Sequence, residues 1–239
     1  MVSTSVDPQR AVAIALSGVA VLVASMLAVG FLGELVLFDS SAGRFDLEWT
    51  DWIGRHRVPV LDTLATVGSS FTDTWTVIGT AFGASAMLWA TGNRWCACLL
   101  PIGLTVELAV FLIVSRIIGR ERPDVTPLGS VPSTSSFPSG HVAAGVVLYG
   151  GLVVIAVSLG RSRTRARLAA TAVAVVIVWV AVARVYEGVH HPTDVLGGAL
   201  LGVAALIVAA ASTGVTVRID RVPDARRAAT RGPVGVTRS

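Results

Sequence analysis

Residues 95–118 read WCACLLPIGLTVELAVFLIVSRII, an apolar run interrupted only by Glu107 and Arg116. About 20 predominantly apolar residues are enough for a helix to cross the hydrocarbon core of a bilayer. Five more runs, at 11–33, 74–90, 140–159, 168–185 and 193–215, have the same character and are dominated by Val, Ala, Leu and Gly. Small residues in such runs let helices approach closely where no hydrophobic force drives them together. The composition agrees: of 239 residues 53% are hydrophobic and only 14% charged, with a mean hydropathy of +0.73. A soluble domain carries about 25% charged residues, and a disordered chain is polar, so both classes are excluded. The expected fold is all-α, a polytopic membrane bundle of six transmembrane helices over residues 1–217, followed by a basic, disordered tail over 218–239. The first run exceeds the core of a signal peptide and is read as an uncleaved span.

All 19 basic residues are arginine, and the net charge is +4. They lie between and beyond the apolar runs without interleaved aromatic residues, which argues against a nucleic-acid surface and for membrane topology. With the N-terminus inside, Arg10, Arg94, the cluster Arg161, Arg163, Arg165 and Arg167, and six tail arginines are cytoplasmic, twelve against seven outside. The positive-inside rule therefore places both termini in the cytoplasm of a multi-pass plasma-membrane protein. Between the first two spans, Phe45, Trp49, Trp52 and Ile53 recur at helical spacing among charged residues within 39–70. That pattern predicts an amphipathic helix lying in the outer interface. Residues 123–138, rich in Pro, Ser and Thr, predict an external loop. Cys96 and Cys98 show neither a disulfide nor a zinc spacing.

This topology gathers ionisable residues at the outer face. Arg116, Arg120 and Arg122 follow the third span, His141 opens the fourth, Arg184 ends the fifth, and His190 and Asp194 open the sixth. Charges near hydrocarbon are costly and mark function. Arginines around neutral imidazoles suit a phosphate, whose oxygens a guanidinium grips bidentately. Ser139 and Gly140 stand where the loop becomes a helix, Ser139 as N-cap and Gly140 where an anion approaches the first amides. His190 and Asp194 flank Pro192 at four-residue spacing. A carboxylate there binds one imidazole nitrogen, fixes the tautomer and leaves the other free to attack phosphorus. A metal is not expected, because the arginines repel a cation. His191 is read as an interfacial polar residue. Glu107, in mid-span, is read as protonated or hydrogen-bonded between helices, with a polar channel as the alternative.

Arg122-Pro123, Pro138-Ser139-Gly140-His141 and Arg184-x5-His190-x3-Asp194 resemble, in order and spacing, the three motifs of the type 2 phosphatidic acid phosphatase (lipid phosphate phosphatase) superfamily, as a bacterial-type six-span member. The resemblance extends over about residues 60–212. It implies a metal-independent phosphatase without cofactor, acting on a membrane lipid phosphate or diphosphate at the outer face of the bilayer. Relatives act on prenyl diphosphates such as the undecaprenyl carrier, on phosphatidic acid and on phosphatidylglycerol phosphate. By position, it implies His190 as the nucleophile forming a phosphohistidine, Asp194 as its orienting partner and His141 as the general acid. Arg122, Ser139, Gly140 and Arg184 would bind the phosphate.

Two positions depart from that pattern, and in the third motif the departure is Ala183-Arg184 where the family has Ser-Arg. The family's first motif begins with a lysine where this chain has Ser115, so Arg116 or Arg120 is expected to reach inward and supply the charge. A lipid phosphotransferase using the same site, and a non-enzymatic transporter or scaffold retaining a phosphate site, are the competing functions.

Overall fold

The computed structural model describes residues 6–37, 40–160 and 162–215. The basic tail and Arg161 lie outside them. Eight helices account for almost all of the described chain: α1 (Pro8–Leu32, prolonged by a π-helical turn Gly33–Leu37), α2 (Ser41–Arg55), α3 (Pro59–Ser70), α4 (Thr74–Ala90), α5 (Arg94–Ile118), α6 (Gly140–Ser158, with a π-helical turn at Val146–Gly150), α7 (Arg163–Tyr186) and α8 (Pro192–Thr213). The described residues contain no strand. The molecule is an all-α membrane bundle. Helices α1, α5, α6, α7 and α8 are long and apolar enough to cross a bilayer. The second expected span, α4, has 17 residues; at 1.5 Å per residue it reaches about 25 Å, the lower end of what a span needs.

The ends of these helices follow from the sequence. Pro8, Pro59 and Pro192 each stand in a first turn, where the missing N–H costs nothing. Asp7 caps α1 and Ser162 caps α7 through side-chain oxygens, satisfying amides that have no intrahelical partner. Gly119 ends α5 in the left-handed region at φ 65°, which glycine enters without a Cβ penalty. The single interfacial segment expected over 39–70 is instead two helices, α2 and α3, broken where Val58 precedes Pro59 in extended conformation. A residue before proline is driven out of the helical region by the pyrrolidine ring.

Helix α8 lies at the centre, packed against α1, α5 and α6. Its inner face is small: Gly197, Gly198, Gly202, Ala205 and Ala209 are buried. A Cβ on Gly198 would lie 2.3 Å from the carbonyl oxygen of Ser139, and one on Gly202 would lie 2.6 Å from that of Ala143. The first turn of α6 therefore rests on bare α8 backbone, the close approach that small residues permit. Gly198→Ala is expected to cost about 1–3 kcal/mol, because a backbone carbonyl must move. Thermal unfolding in detergent checks this, with Leu196→Ala on the exposed face of α8 as the unaffected control. Leu99, Leu100, Val110, Val114, Leu148 and Leu201 fill the interior. Val12, Leu16, Phe82, Met87, Val175 and Val182 are exposed on the outside, the inverse of a soluble surface and what contact with acyl chains requires.

Candidate active site

The site lies at the end of the bundle where α5 stops and where α6 and α8 begin. Two of its stretches connect spans: the short turn 187–191 joins α7 to α8, and the long loop 119–139 joins α5 to α6. The longer loop is pinned at several points. The Ser136 amide donates to the Arg120 carbonyl at 2.9 Å, the Leu128 amide to the Glu187 carbonyl at 2.8 Å, and the Ser139 amide to the Asp194 carbonyl at 3.0 Å. Ser115 belongs to the same fastening: its buried hydroxyl accepts from the Ser135 amide at 3.1 Å. At the position where a lysine was expected, this chain holds its loop with a serine.

His190 is buried, and its Nδ1 lies 2.8 Å from the Ser136 carbonyl oxygen. A carbonyl only accepts, so Nδ1 carries the proton and Nε2 is left with its lone pair free. Asp194, the expected partner, is beside it with Oδ2 3.9 Å from Nδ1, an ion-pair separation and not a hydrogen bond. Asp194 instead accepts from the Ser136 hydroxyl at 2.5 Å, from the His191 amide at 2.7 Å and from Arg120 Nη1 at 2.5 Å. It thus acts on His190 both directly, as a nearby charge, and through Ser136, which bridges the two. Burial pushes the His190 imidazole below the ordinary histidine value, against the pull of Asp194. The neutral ring is therefore the form that persists on mild acidification. With ring-labelled histidine, the resonance lost in His190→Gln is expected to titrate below the ordinary histidine range.

Five other expected residues join His190. Arg122 donates through Nη2 to the Thr134 carbonyl at 3.0 Å and through Nη1 to the Val189 carbonyl. Burial and the nearby Arg184 charge lower its pKa. Arg184, in the last turn of α7, pairs with Glu187 Oε2 at 2.6 Å, while Glu187 Oε1 accepts from the Ser69 hydroxyl at 2.6 Å. Burial raises the Glu187 pKa, and the Arg184 charge opposes the rise. His141, in the first turn of α6, has its Nε2 3.5 Å from Asp73 Oδ1. Ser139 is the N-cap residue of α6, but its side chain makes no capping bond. Its hydroxyl, Arg122 Nε and Arg184 Nε are buried without a hydrogen-bond partner. Orphaned buried donors are rare, and a multi-oxygen anion is the kind of group that satisfies several at once. Gly140 has no side chain to block the first turn of α6; a Cβ there would press on the Phe111 ring at 3.2 Å.

Two expected phosphate ligands are not part of this group. Arg116 is exposed on the outer surface of α5, turned away by the helical step that separates it from buried Ser115. Arg120 is turned to the far side of Asp194. Its Nη2 pairs with Asp46 Oδ2 at 2.9 Å and its Nη1 with Asp194 and Thr193. Asp46, in α2, is 1% exposed and also accepts from the Thr193 amide at 3.0 Å and from the Thr193 hydroxyl. A carboxylate there meets the positive end of α8. His191, expected at the interface, is buried as the N-cap residue of α8.

Asp46, Ser136, Asp73 and Glu187 were not singled out in the sequence. Asp46 carried the only available signal, its spacing from Thr50. These two share a buried stripe of α2 with half-buried Ile53. The exposed stripe holds Phe45, Trp49 and Trp52, stacked at centroid spacings of 5.7 Å. The aromatic face of α2 thus points outward as expected, but Ile53 belongs to the other face.

Arg122, Gly140, His141 and His190 line one cavity of about 360 Å³, which continues between α4, α5 and α6 past Val77, Leu104, Glu107 and Phe111. Ile78 and Leu108 on its wall are each 52% exposed, so its flank faces the hydrocarbon side. No group of three or more His, Cys, Asp or Glu among the described residues is arranged to hold a metal ion.

Comparison with known proteins gives the same picture. The PAP2 superfamily model matches residues 94–217. A transmembrane PAP2-type phosphatidylglycerolphosphate phosphatase from Bacillus subtilis superposes with a TM-score of 0.66 at 23% identity, covering 88% of this chain and 98% of its own. LpxE of Aquifex aeolicus superposes with a TM-score of 0.52 at 24% identity, covering 68% of this chain and 93% of its own. At these identities both are evidence of a shared fold. No curated protein sequence matches the chain significantly.

Proposed function

Because this chain belongs to the PAP2 superfamily, we propose that it is an integral membrane phosphatase that removes phosphate from a lipid phosphate or diphosphate. The observation that carries this reading is the convergence of His141, His190 and Arg122 on a single cavity whose remaining walls are largely apolar and whose flank faces lipid. The phosphate would sit among the arginines at the outer end. The tail would stay in hydrocarbon and enter sideways between α4 and α5.

The reaction runs in two displacements. His190 Nε2 attacks phosphorus while Nδ1–H stays on the Ser136 carbonyl. The phosphorus–oxygen bond to the lipid breaks, and His141 gives a proton to the departing oxygen. Arg122 and Arg184, with the Ser139 hydroxyl and the first amides of α6, hold the equatorial oxygens as charge spreads over them. His141, now a base, takes a proton from water as that water attacks the phosphohistidine, and inorganic phosphate and free His190 result. No step draws on a cofactor or a metal ion. Both termini lie in the cytoplasm in this reading, and the site works at the outer face.

The deciding measurement is phosphate release in detergent from phosphatidic acid, phosphatidylglycerol phosphate and a prenyl diphosphate, with and without chelator. Release from at least one lipid, unchanged by chelator, is expected. Release from none, or release abolished by chelator, overturns the proposal.

A further inference from the structure

Glu107 is 4% exposed, and among the described residues it has neither a hydrogen-bond partner nor an ion-pair partner. Read from the sequence as protonated or hydrogen-bonded between helices, with a polar channel as the alternative, it lines the cavity that leads to the two histidines. Of the four ionisable side chains on that lining, Arg122, His141 and His190 gather at the outer end, and Glu107 is the fourth. It lies four residues before Phe111, whose ring packs on Gly140. The same helix face therefore carries both, with Glu107 about 6 Å deeper in the bilayer. Around it the walls are Val77, Ile78, Leu104 and Leu108. A carboxylate without a cation at such depth is costly, and a carboxyl without any partner forfeits its hydrogen bonds. The acid form both donates and accepts, so a polar oxygen from a ligand in the groove would satisfy it.

We propose that Glu107 reads the glycerol backbone of the substrate: with the phosphate held between Arg122 and the histidines, its carboxyl hydrogen-bonds an ester or hydroxyl oxygen a few bonds further along. This rests on the phosphatase reading and gives it a substrate class. A glycerolipid phosphate places such an oxygen just below the phosphate. A prenyl monophosphate has only hydrocarbon there and would leave the carboxyl unpaired, which is the stronger form of discrimination.

The test compares the wild type with Glu107→Leu and Glu107→Gln on dioleoyl phosphatidate and on farnesyl monophosphate in mixed micelles. The wild type is expected to favour the glycerolipid. Glu107→Leu is expected to lower kcat/KM for phosphatidate about tenfold, the worth of one hydrogen bond to a buried group, while leaving farnesyl monophosphate within about twofold. Glu107→Gln, which still donates and accepts, keeps the preference. An unchanged ratio in Glu107→Leu, or an equal fall on both lipids, overturns the assignment. If the wild type releases phosphate from neither lipid, the phosphatase reading fails, and thermal unfolding with dioleoyl phosphatidate decides Glu107 by itself. Stabilisation of the wild type and Glu107→Gln but not of Glu107→Leu upholds it, and equal stabilisation of all three overturns it.

Discussion

Replacing His190 by alanine is expected to lower phosphate release at least about 10⁴-fold, the scale on which enzymes lose rate when a nucleophile is removed. The structure offers no substitute. His191 next to it is buried as the N-cap residue of α8, and His141 stands across the cavity with its Nε2 toward Asp73. The same variant is expected to fold, since His190 contributes one hydrogen bond to the Ser136 carbonyl. Unchanged thermal unfolding beside lost turnover separates chemistry from collapse. A second readout tests the covalent step. With phosphorus-labelled substrate, wild-type protein quenched in alkali is expected to retain acid-labile label, and His190→Ala none. His141→Ala behaves differently if its imidazole is the acid and then the base. Its turnover falls by about 10²–10⁴-fold. With an activated leaving group that needs no proton, labelled enzyme accumulates, because the hydrolytic step is the one left unassisted. More than a tenth of wild-type activity in His190→Ala, or label that survives there, removes His190 from the reaction.

Much of this was legible in the chain because the strongest signals were local. Long apolar runs, prolines in first turns and the three motifs each act over a few residues, and five of the six expected spans are helices of membrane-crossing length and composition. His141, His190, Arg122, Arg184, Ser139 and Asp194 meet at one end of the bundle because they stand at the ends of spans, where a count of crossings already places them. What the sequence hid is the matching of partners. Asp194 four residues after His190 suggested a direct pair, yet its oxygens are taken by Ser136, the His191 amide and Arg120. Ser136 sits in a loop of near-identical serines whose register no periodicity reveals. Arg116 and Arg120 were indistinguishable as arginines one turn apart. The end of α5 at Gly119 decides between them, leaving Arg116 exposed on the outside of α5 and releasing Arg120 to turn inward. Nothing in residues 41–55 announces that Asp46, in a helix expected to float in the interface, sits on the N-terminus of a helix that begins at residue 192.

Arg120→Met is expected to destabilise the protein by about 3–5 kcal/mol, the cost of breaking a buried ion pair and leaving its partners uncompensated. Arg120 is clamped between two carboxylates whose side chains are 2% and 0% exposed, Asp46 at 2.9 Å and Asp194 at 2.5 Å. Once it is removed, both must lose charge or rearrange, and Asp194 can rearrange only by disturbing Ser136, the group that holds His190. The loss of stability is therefore accompanied by a fall in kcat, with KM for the lipid phosphate nearly unchanged. A phosphate-binding arginine gives the opposite pattern, raised KM and ordinary stability, and that outcome would return Arg120 to the role its sequence position suggested. Arg120→Lys is expected to recover only part of the stability, since an ammonium is a point charge and does not fork across two carboxylates. Asp46→Asn is expected to be the milder change on the other side, because an amide oxygen still accepts from the Thr193 amide. The cycle built from Asp46→Asn, Arg120→Met and the double variant then measures the coupling directly. A substantial interaction energy between the two sites ties the interfacial helix to the nucleophile's support, whereas additive effects would mean that α2 and the active site are independent.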